Sequence, residues 1–159
     1  MNTAYLLIGG NLGNRADNLK RCIAAIQKEC GVVSRQSGVY ETAAWGKTNQ
    51  PSFYNQALEL QTEMEPAGLL EHLLAIELQM GRTRTEKMGP RIIDIDILLF
   101  NQLVISSQHL QVPHPYLPQR RFALVPLQEI APRLVHPILE KTITSLLAEC
   151  KDGLDVHKI

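Results

Sequence analysis

The spacing of apolar residues along the chain predicts strands and helices in a definite order. Successive side chains of a strand lie on opposite faces, whereas an amphipathic helix repeats its buried positions every three or four residues. These two patterns predict strands at 4–8, 32–40, 53–62 and 92–100, and helices at 15–29 and from Pro66 to Gly81. A last helix is expected near 142–149, after a stretch that is punctuated by prolines.

Local signals support the two long helices and the loops around them. Asn14 has the side chain of a helix N-cap, and Pro66 suits the first position of a helix. Gly9 and Gly10 predict a turn after the first strand, and 41–52 is expected to be a long loop. The predicted buried stripes are Leu19, Cys22, Ile23 and Ile26 in the first helix, and Leu69, Leu73, Ile76 and Met80 in the second.

The order of these elements is β-α-β-β-α-β, followed by a C-terminal extension. This order predicts an α+β domain of the ferredoxin-like kind, in which the helices cover one face of a mostly antiparallel sheet. Since 159 residues is an ordinary length for one domain, the range 1–159 is expected to form a single domain.

Composition narrows the function classes. The chain has 45% apolar residues and equal numbers of basic and acidic residues, 16 of each. This balance excludes a disordered chain and argues against a surface built for nucleic acid or for an anionic membrane. The sequence has neither a secretory signal pattern nor an apolar run near the ~18 residues of a membrane span. We therefore expect a cytoplasmic protein whose three cysteines are free thiols.

The predicted strand 92–100 carries two carboxylates on one face. Because strand side chains alternate, Asp94 and Asp96 should point one way, roughly 6.6 Å apart along the backbone. Such a pair either lies in solvent or converges on one or two hard cations. The opposite, apolar face of the strand should carry Ile93, Ile95, Ile97 and Leu99.

The residues before this strand favour the cation site. The segment 81–91 contains four cationic side chains, Arg82, Arg84, Lys87 and Arg91, but one acid, Glu86. Guanidinium groups bind phosphate, and Mg²⁺ held by carboxylates usually accompanies nucleotide phosphates. The combination predicts a polyphosphate site.

A second set of residues is aromatic and polar. It comprises Trp45, Phe53, Asn55 and Phe122, of which Phe53 and Asn55 share one face of the strand 53–62. These rings could be ordinary core residues, but a buried Asn needs hydrogen-bond partners. A flat heterocycle that stacks on the rings and bonds to the amide would supply them. His114 lies between two prolines, which fix its backbone.

The sequence also resembles a known family. The segment Lys87-Met88-Gly89-Pro90-Arg91-Ile92-Ile93-Asp94-Ile95-Asp96-Ile97-Leu98 resembles the signature of the 6-hydroxymethyl-7,8-dihydropterin pyrophosphokinases. These folate-pathway enzymes transfer diphosphate from ATP to a pterin alcohol. Further parts of the resemblance are Gly9-Gly10-Asn11-Leu12-Gly13, Tyr40-Glu41-Thr42, Phe53-Tyr54-Asn55, Val112-Pro113-His114-Pro115 and Arg120-Arg121-Phe122.

The resemblance implies a role for each matching residue. Asp94 and Asp96 would ligate two Mg²⁺ ions, and Arg82 and Arg91 would neutralise charge on the transferring diphosphate. The rest of the ATP would contact Glu77, Arg84, Lys87, Ile97, His114 and Arg120. The pterin would stack between Phe53 and Phe122 and would bond to Asn55 and to the backbone of Thr42, Ala43 and Trp45.

Two other function classes are compatible with the predicted fold. The first is a non-catalytic ferredoxin-like module that binds a small ligand or regulates a partner, since a fold alone does not give a function. Such a module would have no use for Asp94 and Asp96 beside four cations. The second is a binder of single-stranded RNA, which neutral charge and the absence of an aromatic-rich RNP pattern argue against. The expectation is a monomer that binds small substrates, and neither nucleic acid nor membrane.

Overall fold

A computed structural model describes residues 1–44, 49–83 and 89–159 of the chain. Its main feature in those residues is an antiparallel sheet of β1 (Asn2–Gly10), β2 (Val32–Gln36), β3 (Tyr40–Thr42), β4 (Phe53–Thr62), β5 (Asp94–Phe100) and β8 (Val156–Lys158). The strand order is β5-β1-β4-β3-β8, with β2 also paired to β4. A separate small hairpin joins β6 (Ile105–Ser106) to β7 (Gln111–Val112).

Helices cover both faces of the sheet. On one face, α1 (Arg15–Glu29) and α2 (Pro66–Gln79) bury an apolar cluster against β1, β4 and β5. On the other face, α3 (Arg121–Ile130) and α4 (Ile143–Glu149) bury a second cluster. The expectation of helices on one face therefore holds for α1 and α2 of the β-α-β-β-α-β core, whereas α3 and α4 of the C-terminal extension cover the other face. The sequence does not predict α3, because Pro126 lies inside it and proline is unfavourable in a helix interior.

The two long predicted helices are confirmed, as are their caps. The Asn14 side chain accepts a hydrogen bond from the backbone N–H of Asp17 at 3.0 Å, and Pro66 is at the first turn of α2. Leu69, Leu73 and Ile76 are at most 1% exposed, as the predicted stripe requires. The short helix α4 begins after Thr142, whose side chain accepts from Ser145 N–H.

The predicted strand 32–40 is wrong in its middle. The structure ends β2 at Gln36 and begins β3 at Tyr40. Between them, the Ser37 hydroxyl accepts a hydrogen bond from the backbone N–H of Ala57 at 2.9 Å. A side chain thus replaces a ladder partner, which interrupts the strand. The predicted loop 41–52 also begins too early, because residues 41 and 42 belong to β3.

The predicted turn at Gly9 and Gly10 is wrong, because both residues belong to β1. A Cβ at Gly9 would lie 2.9 Å from the Tyr54 carbonyl oxygen and would collide with the Asn55 side chain. A Cβ at Gly10 would collide with the Ile92 carbonyl. These glycines allow β4 and the backbone of Ile92 to approach β1 closely, and they do not form a turn.

The alternation predicted for 92–100 holds as far as Ile97. There the pairing of β5 with β1 shifts, so that Leu6 faces Ile97 while Tyr5 faces Leu99. One residue, Leu98, is inserted as a bulge, and a bulge reverses the faces of the residues that follow it. Leu99 therefore lies in the second cluster, not in the cluster that contains Ile93 and Ile97.

The C-terminal segment completes the sheet, which the sequence did not predict. Strand β8 pairs with β3, and the Ile159 N–H donates to the Val39 carbonyl. Lys158 also contacts Glu129 of α3 at 3.3 Å. Among the described residues, no helix has the length and apolar character that crossing a membrane requires.

Candidate active site

A cavity lies where β1, β4 and β5 reach the same end of the sheet, on the side covered by α3. The register places Gly9 between Asn55 of β4 and Asp94 of β5. Side chains at these aligned positions therefore project into one space. The residues that line the cavity are Leu7, Gly9, Thr42, Ala43, Phe53, Asn55, Arg91, Asp94, Asp96, Arg120 and Phe122.

The two aspartates lie together, as the alternation predicted. Asp94 pairs with Gly9 and Asp96 with Leu7, so both project from the face opposite α1 and α2. Burial and the nearby charge of Asp94 raise the pKa of Asp96 to about 8. An ionised Asp96 is thus unfavourable until a positive charge arrives.

Arginine side chains neutralise Asp94. One carboxylate oxygen lies 2.6 Å from Arg82 Nη1, and the other lies 3.3 Å from Arg91 Nε. Arg82 Nη1 also lies 3.1 Å from the carboxylate of Glu77. Burial alone would lower the pKa of Arg82, but Asp94 and Glu77 outweigh it and raise that pKa.

Glu77 links this ion-pair network to the sheet. Its side chain is 4% exposed and accepts a hydrogen bond from the Ile95 N–H at 2.7 Å. Because Ile95 lies between the two aspartates, the bond fixes α2 against the part of β5 that carries them. Glu77 therefore contacts both Arg82 and the backbone of β5.

The donor set fits a divalent cation that is shared with phosphates. Within the described residues, no group of three or more Asp, Glu, His or Cys side chains could hold a metal ion. Mg²⁺ commonly takes one or two carboxylates and completes its shell with water and phosphate oxygens. Asp94 and Asp96 meet that requirement, and the raised pKa of Asp96 marks where a cation would be favourable.

The other half of the cavity is aromatic and amide-lined. Asn55 is 5% exposed, and its Nδ2 donates to the Thr42 hydroxyl at 3.3 Å. The Arg91 guanidinium lies 4.7 Å from the centre of the Phe53 ring, and the Arg120 guanidinium lies 5.6 Å from that of Phe122. A planar cation can stack on each ring. This half can bind a flat, polar heterocycle.

His114 is neutral near pH 7. Burial is the main cause, and together with Arg120 it lowers the pKa of His114 to about 4, although Asp94 opposes the shift. The Nδ1 atom accepts from the Tyr116 N–H at 3.2 Å, which leaves the ring proton on Nε2. The His114 N–H donates to the Leu98 carbonyl and fixes the backbone against β5. His114 can donate a hydrogen bond but does not act as a cation.

The structure brings together most of the predicted residues. Thr42, Ala43, Phe53, Asn55, Arg91, Asp94, Asp96, Arg120 and Phe122 line the cavity, and Arg82 and Glu77 join it through Asp94. Ile97 is 5% exposed and packs in the cluster beneath α1 and α2, apart from the cavity. Trp45, Arg84 and Lys87 lie outside the described residues.

Sequence reasoning missed Leu7, Gly9 and Asn11. The first two line the cavity, and the register of β1 between β4 and β5 puts them there. Asn11 is 3% exposed and bonds to residues on both sides of the site. The sequence pattern there predicts a turn at Gly9 and Gly10 and assigns no role to Asn11. The signal that could have revealed Asn11 was a polar residue within an apolar and glycine-rich run, since a buried amide needs partners.

Comparison with known proteins places this chain in a family. Residues 5–132 match the family model described as 7,8-dihydro-6-hydroxymethylpterin-pyrophosphokinase (HPPK). That range includes every described residue that lines the cavity.

Curated relatives match over nearly the whole chain. The 2-amino-4-hydroxy-6-hydroxymethyldihydropteridine pyrophosphokinase of Methylorubrum extorquens is 41% identical over 150 residues, which cover 94% of each chain. That of Bacillus subtilis is 39% identical over 99% of this chain and 91% of its own. The folic acid synthesis protein FOL1 of Dictyostelium discoideum is 38% identical over 99% of this chain, which spans 24% of that longer protein.

Solved structures share the fold. The crystal structure of wild-type Plasmodium falciparum HPPK-DHPS with SDX-DHP gives a TM-score of 0.76 at 19% identity, over 94% of this chain. This chain spans 43% of that one. At this identity the likeness shows the architecture alone: a mixed α/β domain with an antiparallel sheet.

Proposed function

The chain belongs to the 7,8-dihydro-6-hydroxymethylpterin-pyrophosphokinase family, and we propose that it transfers diphosphate from ATP to the hydroxymethyl group of 6-hydroxymethyl-7,8-dihydropterin, with AMP as the second product. The observation that carries this proposal is the composition of one cavity. Two aspartates, of which Asp94 is paired with arginines, form one end, and an amide with two aromatic rings forms the other. The first end suits a metal-bound triphosphate and the second suits a pterin.

The aromatic end would bind the pterin in a fixed orientation. Phe53 and Phe122 offer ring faces for stacking, and Asn55 offers an amide that can both donate and accept. Thr42 already accepts one hydrogen bond from Asn55, which holds that amide in its orientation. The backbone of Ala43, and that of Trp45 by resemblance, would complete the pterin contacts.

The cationic end would bind ATP. Arg82, Arg91 and Arg120 would contact the phosphates, assisted by Arg84 and Lys87, and His114 would donate from Nε2. Glu77 would act through Arg82. Ile97 stays a predicted neighbour of the adenine, although its side chain lies in the core.

Asp94 and Asp96 would hold two Mg²⁺ ions, which would supply positive charge against the phosphates. The pterin hydroxyl oxygen would attack the β-phosphorus of ATP in line and form the new bond to it. The bond from the β-phosphorus to the oxygen shared with the α-phosphorus would break, that oxygen would leave with AMP, and the hydroxyl proton would pass to solvent. The protein contributes placement and charge stabilisation rather than a covalent intermediate.

The same proposal covers the architecture and setting of the protein. We assign residues 1–159 to one pyrophosphokinase domain, and the β-α-β-β-α-β core to the ferredoxin-like topology, since the strand order places β1 between β4 and β5. We propose a cytoplasmic monomer that binds small substrates, and neither nucleic acid nor membrane.

Product analysis tests the function. Purified protein with ATP, Mg²⁺ and 6-hydroxymethyl-7,8-dihydropterin should form AMP, and should form none when either Mg²⁺ or the pterin is omitted. ADP as the product would indicate simple phosphoryl transfer and refute the assignment. A folded protein without turnover would favour a binding module.

Variants test the metal assignment. Asp94→Ala and Asp96→Ala should fold and lose Mg²⁺-dependent turnover. Asp155→Ala is the matched control, because the Asp155 side chain is 83% exposed and lies in the C-terminal segment, whose β8 pairs with β3. Near-full activity in either of the first two variants would refute the assignment.

A further inference from the structure

We infer that Asn11 is a positioning residue that couples the two halves of the active site, so that occupancy of one half changes affinity in the other. The inference rests on the proposed function, because it concerns how the pterin end and the phosphate end communicate. Asn11 itself does not line the cavity in the structure.

The Asn11 amide bonds to both sides at once. Its Nδ2 donates to the Gln50 side-chain oxygen at 2.8 Å and to the Pro51 carbonyl at 2.9 Å. Its Oδ1 accepts from the Arg91 N–H at 2.9 Å. Both amide hydrogens and the oxygen are therefore engaged within one rigid planar group.

Each bonded segment leads directly to one half of the site. Pro51 lies two residues before Phe53, the first residue of β4 and part of the aromatic end. Arg91 stacks on Phe53 and contacts Asp94. The Asn11 amide thus joins the start of the pterin-binding strand to the peptide that carries a phosphate-binding arginine.

The backbone reinforces the Arg91 side of this link. The N–H groups of Asn11 and Leu12 both donate to the Arg91 carbonyl, at 3.0 and 3.2 Å. Gly10 permits this approach, since a Cβ there would collide with the Ile92 carbonyl. The N–H and the carbonyl of Arg91 are therefore both held by Asn11 and Leu12, which directly follow β1. The Asn11 side chain reaches Gln50 and Pro51 through its Nδ2 group.

A separate contact provides a matched control. Arg15 Nη1 bonds to the Ser52 carbonyl at 3.0 Å and to the Glu41 carboxylate at 3.0 Å. It therefore anchors Ser52, the residue after Pro51, to α1, and its bonds run to Ser52 and Glu41 rather than to Arg91. Loss of the Arg15 contacts should loosen the segment without cutting the link between the two halves.

The experiment measures the coupling factor between ligands in binding titrations. The pterin is titrated with and without a non-hydrolysable ATP analogue plus Mg²⁺, and the ratio of the two dissociation constants is the coupling factor. By linkage, the reverse titration must give the same factor. The proteins compared are the wild type, Asn11→Asp, Asn11→Ala and Arg15→Gln.

Asn11→Asp is the sharpest variant because it separates the two sides. The Asp carboxylate still accepts from the Arg91 N–H, but it cannot donate to the Gln50 side chain or to the Pro51 carbonyl. Coupling should fall about fivefold or more in both Asn11 variants, while each single-ligand dissociation constant changes less than the coupling factor. Arg15→Gln should keep the wild-type factor. Asn11→Asp also serves if Asn11→Ala does not fold.

Three outcomes would overturn the inference: no coupling in the wild type, unchanged coupling in Asn11→Asp, or an equal loss in Arg15→Gln. A purely structural role for Asn11 would lower the melting temperature and weaken both ligands alike, without a selective loss of coupling. Failure of the proposed function is recognised separately, because the wild type would then form no AMP, and the inference would fail with it.

Discussion

Substitution of Gly9 tests whether the site depends on close packing between β1 and β4. A Cβ at position 9 would lie 2.9 Å from the Tyr54 carbonyl oxygen and 3.2 Å from Asn55 Cγ. The carbonyl belongs to the adjacent strand and cannot rotate away, so the Asn55 side chain must move. Gly9→Ala should therefore both destabilise the fold and disturb the amide that is proposed to bind the pterin.

The magnitude follows from two contributions. Overpacking of a dense region costs about 1–3 kcal/mol. Loss of the 3.3 Å hydrogen bond from Asn55 to Thr42 adds about 1 kcal/mol. For a chain of this length, each kcal/mol shifts the melting temperature by about 2–4 °C, so the expected decrease is roughly 5–15 °C.

Gly68→Ala is the matched control. Gly68 lies in α2, and a Cβ there would have nothing within 4 Å. Alanine in a helix interior is more favourable than glycine by about 0.5–1 kcal/mol, so this variant should melt about 1–4 °C higher than the wild type.

Thermal unfolding followed by circular dichroism and a pterin titration are the two assays. Gly9→Ala should show both a lower melting temperature and weaker pterin binding, whereas Gly68→Ala should bind the pterin as the wild type does. A melting temperature and a pterin affinity both unchanged in Gly9→Ala would refute the packing argument. A loss of stability without a loss of affinity would refute the role assigned to Asn55.

Three further predictions concern the core, the ion pairs and pH. Leu124→Ala should lower the free energy of unfolding by about 2–5 kcal/mol, because the Leu124 side chain of α3 is fully buried in the second apolar cluster. Leu78→Ala should change it by less than about 0.5 kcal/mol in the same denaturant titrations, because Leu78 is 71% exposed. Glu77→Gln should retain the hydrogen bond from Ile95 N–H but remove the charge beside Arg82. AMP formation should fall roughly tenfold to a hundredfold, while the melting temperature stays near that of the wild type. Unchanged turnover would contradict the role of Glu77. Burial lowers the pKa of His136, whose Nδ1 accepts from the Ile138 and Leu139 N–H groups, so the stability that neutral His136 contributes is present above about pH 6.5 and is lost as the pH falls below that value. The melting temperature should therefore fall more steeply between pH 7 and pH 5 in the wild type than in His136→Asn, and equal slopes would contradict it.

The site was more predictable than the architecture around it. Asp94 and Asp96 could be placed on one face from alternation alone, because a strand has a fixed period of two. Phe53 and Asn55 followed from the same rule applied to β4. Each prediction needed only local geometry, and the structure brings all four residues to one cavity.

The missed features depend on partners that are distant in the sequence. The bulge at Leu98, which moved Leu99 to the other face, is set by the pairing of β5 with β1. Strand β8 is three residues long and gains its structure from β3, about 115 residues earlier. The role of Asn11 is not visible in the sequence, because its bonds to Pro51 and Arg91 cross 40 and 80 residues of chain. No local pattern specifies contacts of this kind.

The electrostatics of the cavity favour a ligand that carries both signs of charge. Arg82 and Arg91 neutralise Asp94, whereas Asp96 has a pKa raised to about 8. A free phosphate would draw the arginines away and leave the Asp94 carboxylate without a compensating charge. A free cation would draw Asp94 away and leave the arginines without theirs, and an uncompensated buried charge is strongly unfavourable. A metal-bound triphosphate supplies a cation for the aspartates and anions for the guanidiniums together. The site should therefore discriminate against either component alone, which is the selectivity that the proposed use of metal-bound ATP requires.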